Sequence, residues 1–287
     1  MEWRSRDPLL ARAAEGLERT GRAHMPRLEE TVRLIGEQGL SRAARGAIER
    51  LLELSQGSGD SINELVVCVE SDPILLARTL RYAADPACGA TEAVTHAGQA
   101  IGMIGLRAAK IMTLSGIDGG RCRDGCIDRV SSAVRRRSVV RGVVARTAAH
   151  AVDYGRADSA ATAGFLYEVG RLGALSLGGD PSSKLGAALD RANGELIARD
   201  VESSEFGAGG GELSAAVMRE WNLCKDVALA VEVAGDLQHE PPGGEQWSIA
   251  RAVRLGDEAA ARVTSVADAL PALVALAPRA ERLLGIR

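Results

Sequence analysis

Apolar positions recur at helical spacing along almost the whole chain, and period-2 alternation bounded by turns is absent. The pattern predicts an all-α fold. Its helices are expected at 8–20, 26–38, 41–56, 62–70, 73–84, 91–102, 105–116, 128–153, 159–177, 182–199, 212–221, 225–235 and 247–263, with a short one near 278–284. Asp7-Pro8, Asp72-Pro73 and Asp180-Pro181 each place an acid before a proline, the N-cap acid and first helical residue of a starting helix. Ser61 to Glu64 reads as a capping box. Glycine clusters at 57–59, 116–125, 207–211 and 243–244 supply breaks. No repeat of fixed period is visible. The Gly-, Arg- and Asp-rich stretch 117–127 is the best boundary between two halves. The expected organisation is a helical extension at 1–39, a first helical subdomain at 40–127 and a second at 128–287.

One helix breaks the rule that apolar stripes stay apolar. Over 129–152, at about 100° per residue, Val130, Val134, Val144, Ala148 and Ala151 share a face. Arg137 and Arg141 fall in the middle of it, whereas Arg135 and Arg146 fall on the opposite, polar side. A cation on a buried stripe needs a carboxylate or an anionic ligand. Two other helices carry acids in the matching place. Glu168 lies on the stripe of Ala161, Phe165, Leu172 and Leu175, and Asp257 on that of Ala250, Val253, Ala260 and Ala261. Taken singly, each charge reads as a stripe-edge residue reaching to water. Their coincidence on three helices favours a shared polar centre, either an ion-pair cluster or the lining of a polar pocket.

Bulk properties narrow the function. The 287 residues are 46% hydrophobic and 25% charged, enough for a sizeable core. A net charge of −3 and an aromatic content of 3% argue against a nucleic-acid partner. Arg135, Arg136 and Arg137 split between helix faces and form no basic patch. No apolar run nears the roughly 20 residues that span a bilayer, and residues 1–16 lack a signal-peptide core, so no membrane role and a cytoplasmic location are expected. Five scattered cysteines suit a reducing compartment, with Cys122 and Cys126 read as unrelated loop thiols in preference to a redox pair or metal clip. His24, His96, His150 and His239 lie far apart, so no metal site is expected. The glycine run before Glu212 lacks the lysine and Ser/Thr of a phosphate loop and reads as plain loop. Trp221 reads as core, and Glu64, Glu70 and Asp72 as cap and surface acids.

Several ordered segments resemble bacterial HDOD domains, a branch of the HD superfamily. AGFLYEVGRLGALSL (163–177) is similar to the HD-superfamily helix that carries the His-Asp doublet. SINELVVCVESDPILLARTLRYAADPACGA (61–90), AVTHAGQAIGMIGLRAAKIMTLS (93–115) and SSEFGAGGGELSAAVMREWNL (203–223) resemble further HDOD segments in the same order. The resemblance covers about 40–262 and implies an N-terminal helical subdomain packed on an HD-like helical core. It also locates where the superfamily holds metal, and there the chain departs. The early His position matches Arg137, and the His-Asp doublet matches Tyr167 and Glu168. Only the late Asp is kept, as Asp257. A further His matches Gly210, and a following His pair matches about Ala234 and Gly235.

One carboxylate without either histidine cannot hold a catalytic divalent ion. The resemblance therefore implies a pseudo-enzyme with no catalytic residues, no metal and no cofactor. It implies a signalling or scaffolding module that binds an unidentified partner protein, and it leaves room for homo-oligomers. The alternative is a sensor that binds a small anion or a nucleotide second messenger through Arg137 and Arg141. Arg137, Arg141, Tyr167, Glu168 and Asp257 are the expected polar cluster. Within it Arg137 is expected to stand in for the metal charge by bridging Glu168 and Asp257.

Overall fold

In the computed structural model the described residues are 25–38, 45–56, 62–88, 93–106, 108–109, 125–152, 154–191, 194–236, 239–241, 247–263 and 266–284. Among them the secondary structure is helical, with no strand. The expected helix at 8–20, most of that at 105–116, Ser61, Cys122 and the boundary stretch up to 124 lie outside the described residues.

The N-terminal part holds α1 (Met25–Gln38), α2 (Arg45–Gln56), α3 (Ile62–Glu70), α4 (Pro73–Ala83) and α5 (Ala97–Ile104). Then follow the long α6 (Gly125–Val152), α7 (Ala157–Leu166), α8 (Val169–Ser176), α9 (Gly179–Leu189) and α10 (Glu195–Val201). A π-turn (Glu202–Phe206) leads into α11 (Gly210–Glu220), α12 (Lys225–Gly235), α13 (Ser248–Arg262) and α14 (Val266–Leu284). Helices α2 to α5 pack on one another, and α4 joins them to α6, α7 and α8. The centre of the molecule is α6, packed mainly against α7 and α13. Helix α1 lies on α11 and α8, within the second half.

Asp72 caps α4 as its dipeptide predicts. Its backbone is extended (φ −141°, ψ 119°) and Oδ1 accepts from the Ile74 and Leu75 amides at 2.8 and 3.3 Å. Asp180-Pro181 does not cap: α9 starts at Gly179 after Gly178, which leaves Asp180 inside the first turn.

Two expected long helices are interrupted, each for a steric reason. The helix expected at 159–177 breaks at Tyr167–Glu168, where Glu168 sits at φ −110°, ψ 19°. A Cβ on Gly164 would lie 2.8 Å from Gly142 Cα and 2.9 Å from the Arg141 carbonyl, and one on Gly170 would lie 2.7 Å from the Ser214 amide. So α7 is pressed backbone to backbone on α6, while α8 is pressed on α11. The break re-aims the chain between these two neighbours. The helix expected at 182–199 ends at Leu189 and restarts at Glu195. A Cβ on Gly194 would sit 1.9 Å from the Ala188 carbonyl. At the C-terminus α14 runs from Val266 through Pro271 and Pro278, far longer than the short segment the prolines suggest.

The polar side assigned to α6 needs correction. Arg135 and Arg146 are only partly solvated: both turn to the corner between α3 and α4. Arg146 grips Glu70 with two bonds (2.6 and 3.0 Å) and Arg135 Nε is 3.7 Å from Asp72. Glu70 and Asp72 are therefore buried acids, not surface ones. Helix α6 is covered on two sides, which a one-stripe reading does not anticipate. Ala151 and Ala261, expected on apolar stripes, are exposed, whereas Trp221 is in the core as expected.

Two glycine substitutions test this packing. Gly164→Ala forces α7 off the α6 backbone and is expected to cost about 1–3 kcal/mol of unfolding free energy. A Cβ on Gly102 of α5 meets nothing within 4 Å, so Gly102→Ala should stabilise by about 0.5–1 kcal/mol through helix propensity alone. Urea titration of both variants reads the opposite signs.

Candidate functional site

The break between α7 and α8 places Glu168 at the inner end of both helices. Its side chain is only 3% exposed, and three guanidiniums surround it. Oε1 accepts from Arg137 Nη2 at 2.9 Å and from Arg171 Nη1 at 2.6 Å, and Oε2 accepts from Arg141 Nη2 at 2.9 Å. Burial pushes the Glu168 carboxyl up, but Arg137, Arg141 and Arg171 together pull it well below the ordinary carboxylate range.

Arg141 is as deeply buried as Arg171, 1% exposed. Beyond Glu168 it donates Nε and Nη2 to Asp257 Oδ1 at 3.0 and 2.7 Å. Its guanidinium lies 4.4 Å from the Tyr167 ring centroid. Burial works against the charge, yet Glu168 and Asp257 more than reverse this and raise its pKa above the ordinary value. The expected bridging cation thus changes identity. Arg137 reaches Glu168 but makes no bond to Asp257; it stands at the rim with a 29% exposed side chain. Arg141, one turn further along α6, spans both acids. The two share a helix face, and depth is decided by where α13 crosses α6.

The structure also adds charges that the sequence reading missed. Arg171, buried on α8, gives Nε and Nη2 to the buried Glu202 of the π-turn at 2.5 and 3.1 Å, and its Nη2 forms an ion pair with Glu195 at 2.7 Å. Glu202 also accepts from the Gly210 amide at 3.0 Å. Arg171 lies three residues after Glu168 on the same stripe, so helical spacing alone flags it. Glu202 sits in an aperiodic turn that no spacing rule reaches.

Around Tyr167 the other resembled positions converge. The carbonyls ending α12 are taken by three side chains. The Tyr167 hydroxyl approaches Ala234 O at 3.5 Å, Arg199 Nη1 donates to Gly235 O at 3.4 Å, and Arg254 Nη2 donates to Asp236 O. Cations at a helix C-terminus are electrostatically favoured. A Cβ on Gly210 would meet the Arg199 guanidinium at 3.3 Å, so arginine fills the space beside that glycine. Burial raises the Tyr167 phenol far above its ordinary pKa, which keeps it neutral.

A divalent ion does not fit this donor set. Both Glu168 oxygens and Asp257 Oδ1 are engaged by guanidiniums, Tyr167 is a neutral phenol, and no imidazole is present among these residues. Among the described residues no group of three or more His, Cys, Asp or Glu could hold a metal.

Residues 44–237 match the HDOD domain family. The chain belongs to that family. The match contains Arg137, Arg141, Tyr167 and Glu168 and ends before Asp257. Among solved structures, the MmoQ response regulator of Methylococcus capsulatus is 22% identical, with a TM-score of 0.70 over 85% of this chain and 92% of that one. A virulence factor of Campylobacter jejuni is 14% identical, with a TM-score of 0.66 over 91% and 90%. At these identities the likeness is one of fold. No curated protein matches the chain.

Two arginines one turn apart should differ sharply. Arg141→Ala leaves Glu168 short of a partner in the interior and is expected to cost about 3–5 kcal/mol in denaturant unfolding. Arg137→Ala, at the rim, should cost about 1 kcal/mol or less. Equal losses would contradict the geometry. The depressed Glu168 carboxyl also sets a pH dependence. Its stabilisation is complete above the unfolded carboxylate pKa of about 4.3 and drains as pH falls below it towards the lower folded value. Unfolding free energy should therefore fall steadily from about pH 5 to pH 3, and the slope should be shallower in Glu168→Gln.

Proposed function

We propose that the chain is a non-catalytic regulatory module of the HDOD type that acts in signalling by binding a partner protein. One observation carries the reading: the Arg141 guanidinium lies between Glu168 and Asp257. The resemblance assigns those two positions to metal ligands. A guanidinium supplies charge there, but it has no open coordination position and generates no hydroxide from water. In this reading Arg137, Arg141, Tyr167, Glu168 and Asp257 form a converted site that fixes the helical frame. Residues 40–127 and 128–287 act as two packed subdomains, and the extension at 1–39 adds to the second through α1. The designation of MmoQ as a response regulator supports the signalling part. Among the described residues no helix is long and apolar enough to cross a membrane.

Two measurements test the proposal. Purified protein incubated with manganese, iron or magnesium should retain no stoichiometric metal and turn over no phosphodiester, such as bis-p-nitrophenyl phosphate; turnover abolished by Glu168→Gln would overturn it. Crosslinking in host cells should give a protein that rebinds the purified chain with a Kd of about 10 µM or tighter. The absence of any direct protein binder would remove the partner role.

A further inference from the structure

The carboxylate of Glu195, at the start of α10, marks a spot where three guanidiniums from three helices converge. Its Oε1 lies 2.7 Å from Arg171 Nη2 and 4.0 Å from Arg199 Nε, and its Oε2 lies 3.9 Å from Arg137 Nη2. Only the first is a close ion pair; the other two lie beyond hydrogen-bond distance. Arg199 Nε is buried and has no hydrogen-bond partner. Glu195 thus stands among three cations and pairs closely with one. Its side chain is 48% exposed, so swinging it into water costs little desolvation.

Charge points the same way. Arg137, Arg141, Arg171 and Arg199 face Glu168, Glu195, Glu202 and Asp257, four cations against four anions. Without Glu195 the cluster carries one unmatched positive charge, set partly behind the protein surface. Arg171 keeps its bonds to Glu168 and Glu202 when Glu195 leaves. A carboxylate offers two oxygens in one plane and is tethered to α10. A tetrahedral oxyanion offers oxygens in several directions, which suits three converging donors.

We infer that Arg137, Arg171 and Arg199 form a binding site for a phosphate group, and that Glu195 is a tethered competitor occupying it when no phosphate is bound. This goes beyond the partner-binding role and does not depend on it. Metal and turnover measurements leave it untouched, and phosphate titration leaves that role untouched.

The test compares the whole chain with Glu195→Gln, using inorganic phosphate against chloride at matched ionic strength and reading calorimetric Kd and melting temperature. A tethered group competes at an effective concentration of millimolar order or above, so its removal should tighten phosphate binding about tenfold or more. The gain should vanish in Glu195→Gln/Arg137→Gln. Equal phosphate affinity in wild type and Glu195→Gln overturns the inference, as does a gain that survives loss of Arg137. A response to acetate equal to that with phosphate overturns the choice of phosphate. Should Glu195→Gln fail to fold, the arginine Nε–H resonances of the wild-type chain decide. Phosphate should shift the Arg199 signal and chloride should not, and an unmoved Arg199 signal overturns the site.

Discussion

An ionised carboxylate buried to 3% exposure has to be surrounded by cations, and Glu168 sets that condition for the centre of this molecule. Its three guanidiniums come from α6 and α8, and each brings further acids with it. Arg141 brings Asp257 from α13, and Arg171 brings Glu202 from the π-turn and Glu195 from α10. One charge thereby commits five elements to a single arrangement. Replacing all of these groups by apolar ones of equal volume need not weaken the fold, but removing one of them leaves its partners stranded. The cluster specifies geometry more than it adds stability.

The backbone is shaped to deliver that carboxylate. Gly164 and Gly170 let α7 and α8 press against different neighbours, and the chain turns between them at Tyr167–Glu168. A continuous helix would carry Glu168 past Arg141 along a single axis. The break instead lets the carboxylate face α6 while Arg171, three residues on, faces the π-turn. Close backbone contact and buried charge are therefore parts of one arrangement.

Much of this was legible in the sequence. Helical periodicity gave the element types, because most helices here have one covered face. The stripe rule drew attention to Arg137, Arg141, Glu168 and Asp257, because a charge among apolar positions violates the period. It could not rank the two arginines, since a helical wheel reports direction around an axis and not depth below a surface. It misread Arg135 and Arg146 for a related reason: α6 is covered on two sides, so a charge opposite the apolar stripe meets Glu70 or Asp72 and not water alone. Glu202 was invisible, since a π-turn has no spacing that aims a side chain. The breaks within 159–177 and 182–199 were both invisible, because each goes with a close backbone approach at a glycine, which periodicity does not report.

On the reading proposed above, an arginine in the place of a metal ion changes what the frame responds to. Histidine ligands bind metal only when deprotonated, so a metal-held core depends on pH near neutrality and on metal supply. Here Arg141 and Arg171 are held charged by their acids, and Glu168 stays ionised until well into the acid range. Across the neutral range none of these three groups changes protonation, and no free ion is needed to complete them. The planar forks also fix orientation, as a hydrated ion with an exchangeable position does not. In the proposed role, such a core trades an open coordination position for a shape that stays constant, which suits recognition.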